Sequence, residues 1–236
     1  MKRVLIINPN SNSNMTKIIF SAARNYNTDL FEIEVINPEH GPITIENNFE
    51  RILTGNEFVK EVKKGIEKGY DGFMDGAICD PGLFAAKELS SVPVVGFGEA
   101  SMILSLPLGH KFAILTANKR FEPIMQDLVK GYGLMDRCAS IRSTGLTILQ
   151  TANDKDLTIK MMIKAGRRAI EEDSAEVLLL GSAGMGGLAQ TISEVLEVPV
   201  IDPVIAGLSV MEMILRSSYK TSKLNLFKIP EPKEIR

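Results

Sequence analysis

Two stretches of this sequence, far apart in the chain, are written to the same plan. Residues 72–97 read GFMDGAICDPGLFAAKELSSVPVVGF and residues 176–202 read EVLLLGSAGMGGLAQTISEVLEVPVID. Laid on one another, Gly76 falls on Gly181, Ala77 on Ser182, Gly82 on Gly187 and Leu83 on Leu188. One extra residue then brings Val92-Pro93-Val94 onto Val198-Pro199-Val200. Each copy is a short apolar strand, a glycine-rich turn, a short helix and a second strand. A chain that carries this unit twice is expected to fold as two similar halves related by an approximate twofold. In open α/β sheets ligands sit beyond the carboxyl ends of the strands, so the two loops are expected to face each other across a cleft.

The remaining pattern agrees with that plan. Strands are expected near Val4 to Ile7, Phe31 to Ile36, Gly72 to Gly76, Val92 to Gly96, Phe112 to Leu115, Glu176 to Leu180 and Val198 to Ile201, with Cys138 just before a further one. Helical stripes lie between them, such as Phe58, Val59, Val62 and Ile66. The fold class expected is α/β: two pseudo-symmetric α/β domains with mostly parallel sheets and the active-site cleft between them. The first half takes residues 1–100 with a return of the C-terminal 205–236, and the second takes 101–204. The tail from Ser217 loses periodicity, gains Pro230 and Pro232, and is expected to pack on the surface or be partly disordered. With 44% apolar and 24% charged residues the composition excludes collagen-like, disordered and disulfide-scaffold classes.

A balance of 27 basic against 29 acidic residues, with no basic run carrying aromatics, argues against nucleic acid as a partner. No apolar run is long enough to span a bilayer, so no membrane partner is expected. The opening MKRVLIINPNSN is interrupted at Asn8 and Pro9, too early for the core of a signal peptide. It reads as a first strand, and a cytoplasmic location is expected. Cys79 and Cys138 are then read as thiols. With only two histidines, His40 and His110, and no metal-ligand spacing, no metal site is expected.

Both repeat loops run from a strand into the start of a helix, where backbone N–H groups favour a carboxylate, an enolate or an imide oxygen. The N-terminal segment INPNSNSN is a third loop of this kind, with Asn8, Asn10 and Ser11 as binding candidates, although such residues most often form turns and helix caps. Thr116 and Asn118 end the FAILT strand and are placed to donate hydrogen bonds. Asp80 is a turn former or a carboxylate supporting its loop. The run GSAGMGGLA before VPVID also matches part of a dinucleotide fingerprint, with Asp202 in the ribose position. Ala183 stands where its second glycine belongs, and duplication explains both loops with one cause.

The set INPNSN at 7–12, GPITIE at 41–46, DPGL at 80–83, VPVVGFGEA at 92–100, GSAGM at 181–185 and VPVID at 198–202 resembles the aspartate/glutamate/hydantoin racemase superfamily, most closely its hydantoin and allantoin racemases. The resemblance covers almost the whole chain in the right order. It implies chemistry without cofactor, at a carbon acidified by an adjacent carbonyl, on a small-molecule substrate such as a hydantoin, imide or carboxylate. A homo-oligomer is the assembly expected. In that family two cysteines, one per half, take and return a proton on opposite faces of the carbon, a helix start lowering each thiol pKa from about 8.5. The sequence departs from the pattern at both positions. Ala77 stands three residues before the Asp of DPGL, and Ser182 stands in GSAGM.

Cys79, two residues beyond Ala77, is either a small buried residue or a displaced acid/base. Ser182, Cys79 and the Ala77 position are therefore the catalytic candidates. The binding candidates are Asn8, Asn10, Ser11, Ile78, Asp80, Thr116, Ala183 and Gly184. Three functions follow: a racemase-like isomerase with altered machinery, a decarboxylase of a malonate-like acid, or a non-catalytic binder that has lost its thiols. The resemblance extends the second to arylmalonate decarboxylases, which lack the first cysteine but keep the second.

Overall fold

The computed structural model describes residues 1–231. Its first half runs β1 (Lys2–Ile7), α1 (Ser13–Ala23), β2 (Phe31–Ile36), α2 (Asn48–Glu67), β3 (Gly72–Asp75), α3 (Leu83–Leu89), β4 (Val94–Gly96) and α4 (Phe97–Ser105). The second runs β5 (Phe112–Thr116), α5 (Glu122–Gly131), β6 (Cys138–Ser143), α6 (Ile148–Asn153), α7 (Lys155–Asp173), β7 (Val177–Leu180), α8 (Ala189–Leu196) and β8 (Val200–Ile201), and α9 (Pro203–Arg216) follows it. Strand order is β2-β1-β3-β4 in one sheet and β6-β5-β7-β8 in the other, and every pairing is parallel. The two sheets thus repeat one topology, and in each the order reverses between the first and third strands of the half.

Alternation along the strands builds the core. Val4 and Ile6 of β1, with Met74 of β3 and Val95 of β4, point into a large core that runs on through Phe112, Ile114, Leu178 and Leu180 of the second half. Their neighbours Leu5, Ile7, Phe73 and Val94 point the other way, into a smaller core with Phe58 and Val62 of α2 and Leu83 of α3. Helix α9 returns after β8 to pack on α4 and α1 of the first half.

Several boundaries differ from the sequence reading for local reasons. β4 and β8 start at Val94 and Val200, after the prolines. Pro93 and Pro199 have no N–H to give, but their carbonyls accept from Phe73 and Leu178. β6 carries no two-residue alternation because all six of its residues are half-buried on the edge of the sheet. Past α9, Lys223 Nζ donates to the carbonyls of Lys87 and Glu88 at the end of α3, and Phe227 packs against Phe84. The tail thus packs on the surface through Phe227, and its last five residues, 232–236 with Pro232, lie outside the described residues. No helix among the described residues is long and apolar enough to cross a membrane.

Candidate active site

Where each sheet reverses its order, two strand ends open a crevice, and a glycine lets them close up. Gly76 N–H donates to Ile7 O at 2.8 Å, and Gly181 N–H donates to Leu115 O at 2.8 Å. A β-carbon on Gly76 would lie 2.8 Å from Ile7 O, and one on Gly181 would lie 2.6 Å from Leu115 O. Only glycine permits that approach in either half. The residues that follow, Ala77 and Ser182, both line one small cleft. Asn8 and Asn10 from the end of β1, Ile78 and Cys79 from the first loop, and Ala183 from the second complete its polar side. Met15, Ile45, Phe121 and Ile148 supply apolar walls from both halves, and none of the four was among the expected binding residues.

Other candidates are engaged elsewhere. Ser11 Oγ donates to Gly41 O at 2.9 Å and lies outside the cleft lining. It holds the GPITIE loop so that Ile45 reaches the cleft and Glu46 accepts from Asn118 Nδ2 at 3.0 Å, across the two halves. Asn10 Oδ1 and Asn12 Oδ1 accept from backbone N–H groups at the start of α1, as turn and cap residues do. Gly184 N–H is taken by Ser182 Oγ at 3.2 Å. Thr116 is fully buried and does not line the cleft.

Asp80 faces away from the cleft to cap α4, accepting from Gly98 N–H at 2.9 Å, Glu99 N–H at 2.7 Å and Tyr132 Oη–H at 2.7 Å. In the second half the same duty falls on Asp202, which accepts from Val204 and Ile205 at the start of α9 and from Gly187 in the loop. That carboxylate is committed to the helix and loop, so the ribose role is not where the fold uses it.

Among the described residues no group of three His, Cys, Asp or Glu side chains gathers to hold a metal. Three ionisable groups are packed behind the first loop. Asp75 is wholly buried at the end of β3 and accepts from Ala77 N–H at 3.3 Å and Gly82 N–H at 3.4 Å. Burial, then the nearby Asp80, holds its pKa well above the carboxylate range. Asp80 is raised to about 7, again chiefly by burial. Cys79 is 1% exposed, and burial, reinforced by Asp75 and Asp80, drives its thiol far up. It remains a protonated thiol near neutral pH, which opposes a role as displaced base. Asp75 was missed because an aspartate closing an apolar strand has no distinctive spacing.

Residues 4–211 match the family model described as Asp/Glu/Hydantoin racemase. The chain belongs to that family. It is 40% identical to a hydantoin racemase of a Pseudomonas species over 98% of this chain and 93% of the relative. It is 36% identical to the hydantoin racemase of Paenarthrobacter aurescens over 98% of this chain and 99% of the relative. Among solved structures, the allantoin racemase from Klebsiella pneumoniae superposes with a TM-score of 0.96 at 33% identity, covering 100% of this chain and 96% of that one. The match spans both sheets and both loops, so the duplicated architecture is the family's own.

Proposed function

We propose that this protein is a cofactor-independent isomerase of the hydantoin and allantoin racemase type, whose cleft takes a five-membered cyclic ureide. On this reading positions 77 and 182 address opposite faces of the ring carbon that carries the acidic hydrogen. With alanine and serine there the chain binds the ring but turns it over slowly. The observation that carries the reading is that the two positions, equivalent in the repeat and in the topology, line one cleft. The relatives named above favour this line over a decarboxylase or a non-catalytic binder.

The chemistry needed is a proton removed from one face and returned to the other. Ala77 has no exchangeable proton. Ser182 has a hydroxyl that accepts from Gly184 N–H and no basic side chain bonded to it among the described residues, so it is a far weaker acid than a thiol and a far weaker base than a thiolate. A cysteine at each position supplies the acid/base group that alanine lacks and that serine provides only weakly. Ala77→Cys with Ser182→Cys is therefore expected to create racemisation of 5-methylhydantoin, read as loss of optical rotation, while the unaltered chain stays slow. Rapid racemisation by the unaltered chain, unaffected by either substitution, would show that the bases lie elsewhere.

A further inference from the structure

Asn8 carries an acceptor that the fold does not use. Asn12 N–H donates to Asn10 Oδ1 at 3.0 Å, and because a backbone N–H can only donate, the orientation of the Asn10 amide is set. Asn8 Nδ2 then shares its two hydrogens among that same Oδ1 at 3.1 Å, Asn12 O at 3.2 Å and Thr16 Oγ1 at 3.0 Å. Thr16 can receive it because its own hydroxyl donates to Asn37 Oδ1 at 2.8 Å. Turning the Asn8 amide over would set its oxygen against two groups that only accept. The amide is fixed, and Asn8 Oδ1 is left buried with no partner among the described residues, on a residue that lines the cleft.

The pseudo-twofold repeats the feature. The hydrogen bonds of Gly76 to Ile7 and of Gly181 to Leu115 make Asn8 and Thr116 equivalent strand-end positions. Thr116 Oγ1 is also buried without a partner among the described residues, although it does not reach the cleft wall. A buried acceptor left unpaired is costly, and one held through folding beside a cleft calls for a partner from the cleft, water or ligand.

We infer that Asn8 Oδ1 is a specificity-determining acceptor, and that the cleft selects a ligand presenting an N–H: a ring amide or ureide, not a dianionic carboxylate. This rests on the cyclic-ureide reading above and narrows it. An ionised carboxylate offers only acceptors, so facing Asn8 Oδ1 it adds a second unpaired oxygen to the first. A ring N–H completes the amide without disturbing the three bonds that orient it.

The test measures binding of 5-methylhydantoin, its 1-methyl, 3-methyl and 1,3-dimethyl derivatives, and phenylmalonate to the unaltered chain and to Asn8→Ala. One mono-N-methyl derivative and the dimethyl compound are expected to lose roughly tenfold or more in affinity, as the loss of one buried hydrogen bond implies. In Asn8→Ala that discrimination should shrink to within about threefold. Because Asn8→Ala gives up three side-chain bonds and can fail to fold, 15N-labelled 5-methylhydantoin bound to the unaltered chain supplies a second readout. One ring N–H should move downfield and exchange slowly with water.

The inference is overturned if the dimethyl compound binds as tightly as the parent, if Asn8→Ala keeps the discrimination, or if both bound N–H groups exchange as in free ligand. Should N-methylation be harmless while the double cysteine variant racemises 5-methylhydantoin, the isomerase reading stands and only the Asn8 assignment falls. Should no hydantoin bind, with or without phenylmalonate binding, the isomerase reading itself falls.

Discussion

At the residue scale, the groups behind the first loop set the electrostatics of the cleft floor. Asp75 has no cationic partner among the described ion pairs, and its raised pKa means that the folded chain holds a proton the unfolded chain releases. Below the ordinary carboxylate pKa both states are protonated, and no stability difference arises from this group. As pH climbs above about 4 the unfolded state ionises freely while the folded state does not, so the group's contribution to stability falls. Asp75→Asn removes that titration. Thermal unfolding should then show the variant gaining on the parent as pH rises above about 4, and a pH-independent difference between them would contradict the assignment. Position 77 and position 182 were legible in the sequence because the repeat aligns them. Asp75 was not, since its importance comes from burial that only the packed sheet creates, and Ser11 was over-read because its hydroxyl is consumed by a loop distant in sequence.

At the element scale, the two halves solve one problem with carboxylates placed differently. Each must cap the helix that follows its last strand and tie it to the glycine-rich loop. The N-cap of α9 is Asp202, whose own side chain does this, whereas the N-cap of α4 is Gly96, which has none. Asp80 fills the role from the loop, and a β-carbon at Gly96 would sit 2.3 Å from its Oδ1. Asp80 adopts φ 44°, which glycine accepts readily, so Asp80→Gly isolates the loss of the carboxylate. That variant should lose about 2–4 kcal/mol, because three interior donors lose the acceptor they share. Gly96→Asp alone should also destabilise, by crowding Asp80. Together they should recover part of the loss by reproducing the Asp202 arrangement, and denaturant unfolding that gives a purely additive double variant would refute the equivalence. The repeat was visible in sequence, but this exchange was not, because the two carboxylates stand at positions that do not align. The edge strand β6 was expected only as a strand beyond Cys138, without bounds, because its half-buried residues lack the alternation by which strands are delimited.

At the scale of the whole molecule, duplication brings two switch points to one cleft, and that geometry is what an inversion at carbon requires. The succession of strands along the chain, the mostly parallel pairing and the family followed from the sequence, because apolar runs, glycine turns and Val-Pro-Val recur in register, whereas the order of strands within each sheet did not. What sequence did not supply was the closure of the site by the GPITIE loop and by Met15, Phe121 and Ile148, contributions set by long-range packing. The central claim is that positions 77 and 182 address opposite faces of one carbon, and single thiols test it more directly than the pair. Ala77→Cys and Ser182→Cys, each alone, would be incubated in D2O with (R)- and with (S)-5-methylhydantoin, and deuterium at the ring carbon followed by NMR. The account predicts exchange above the uncatalysed rate in opposite enantiomers for the two variants, each with little inversion. Preference of both variants for the same enantiomer would contradict it.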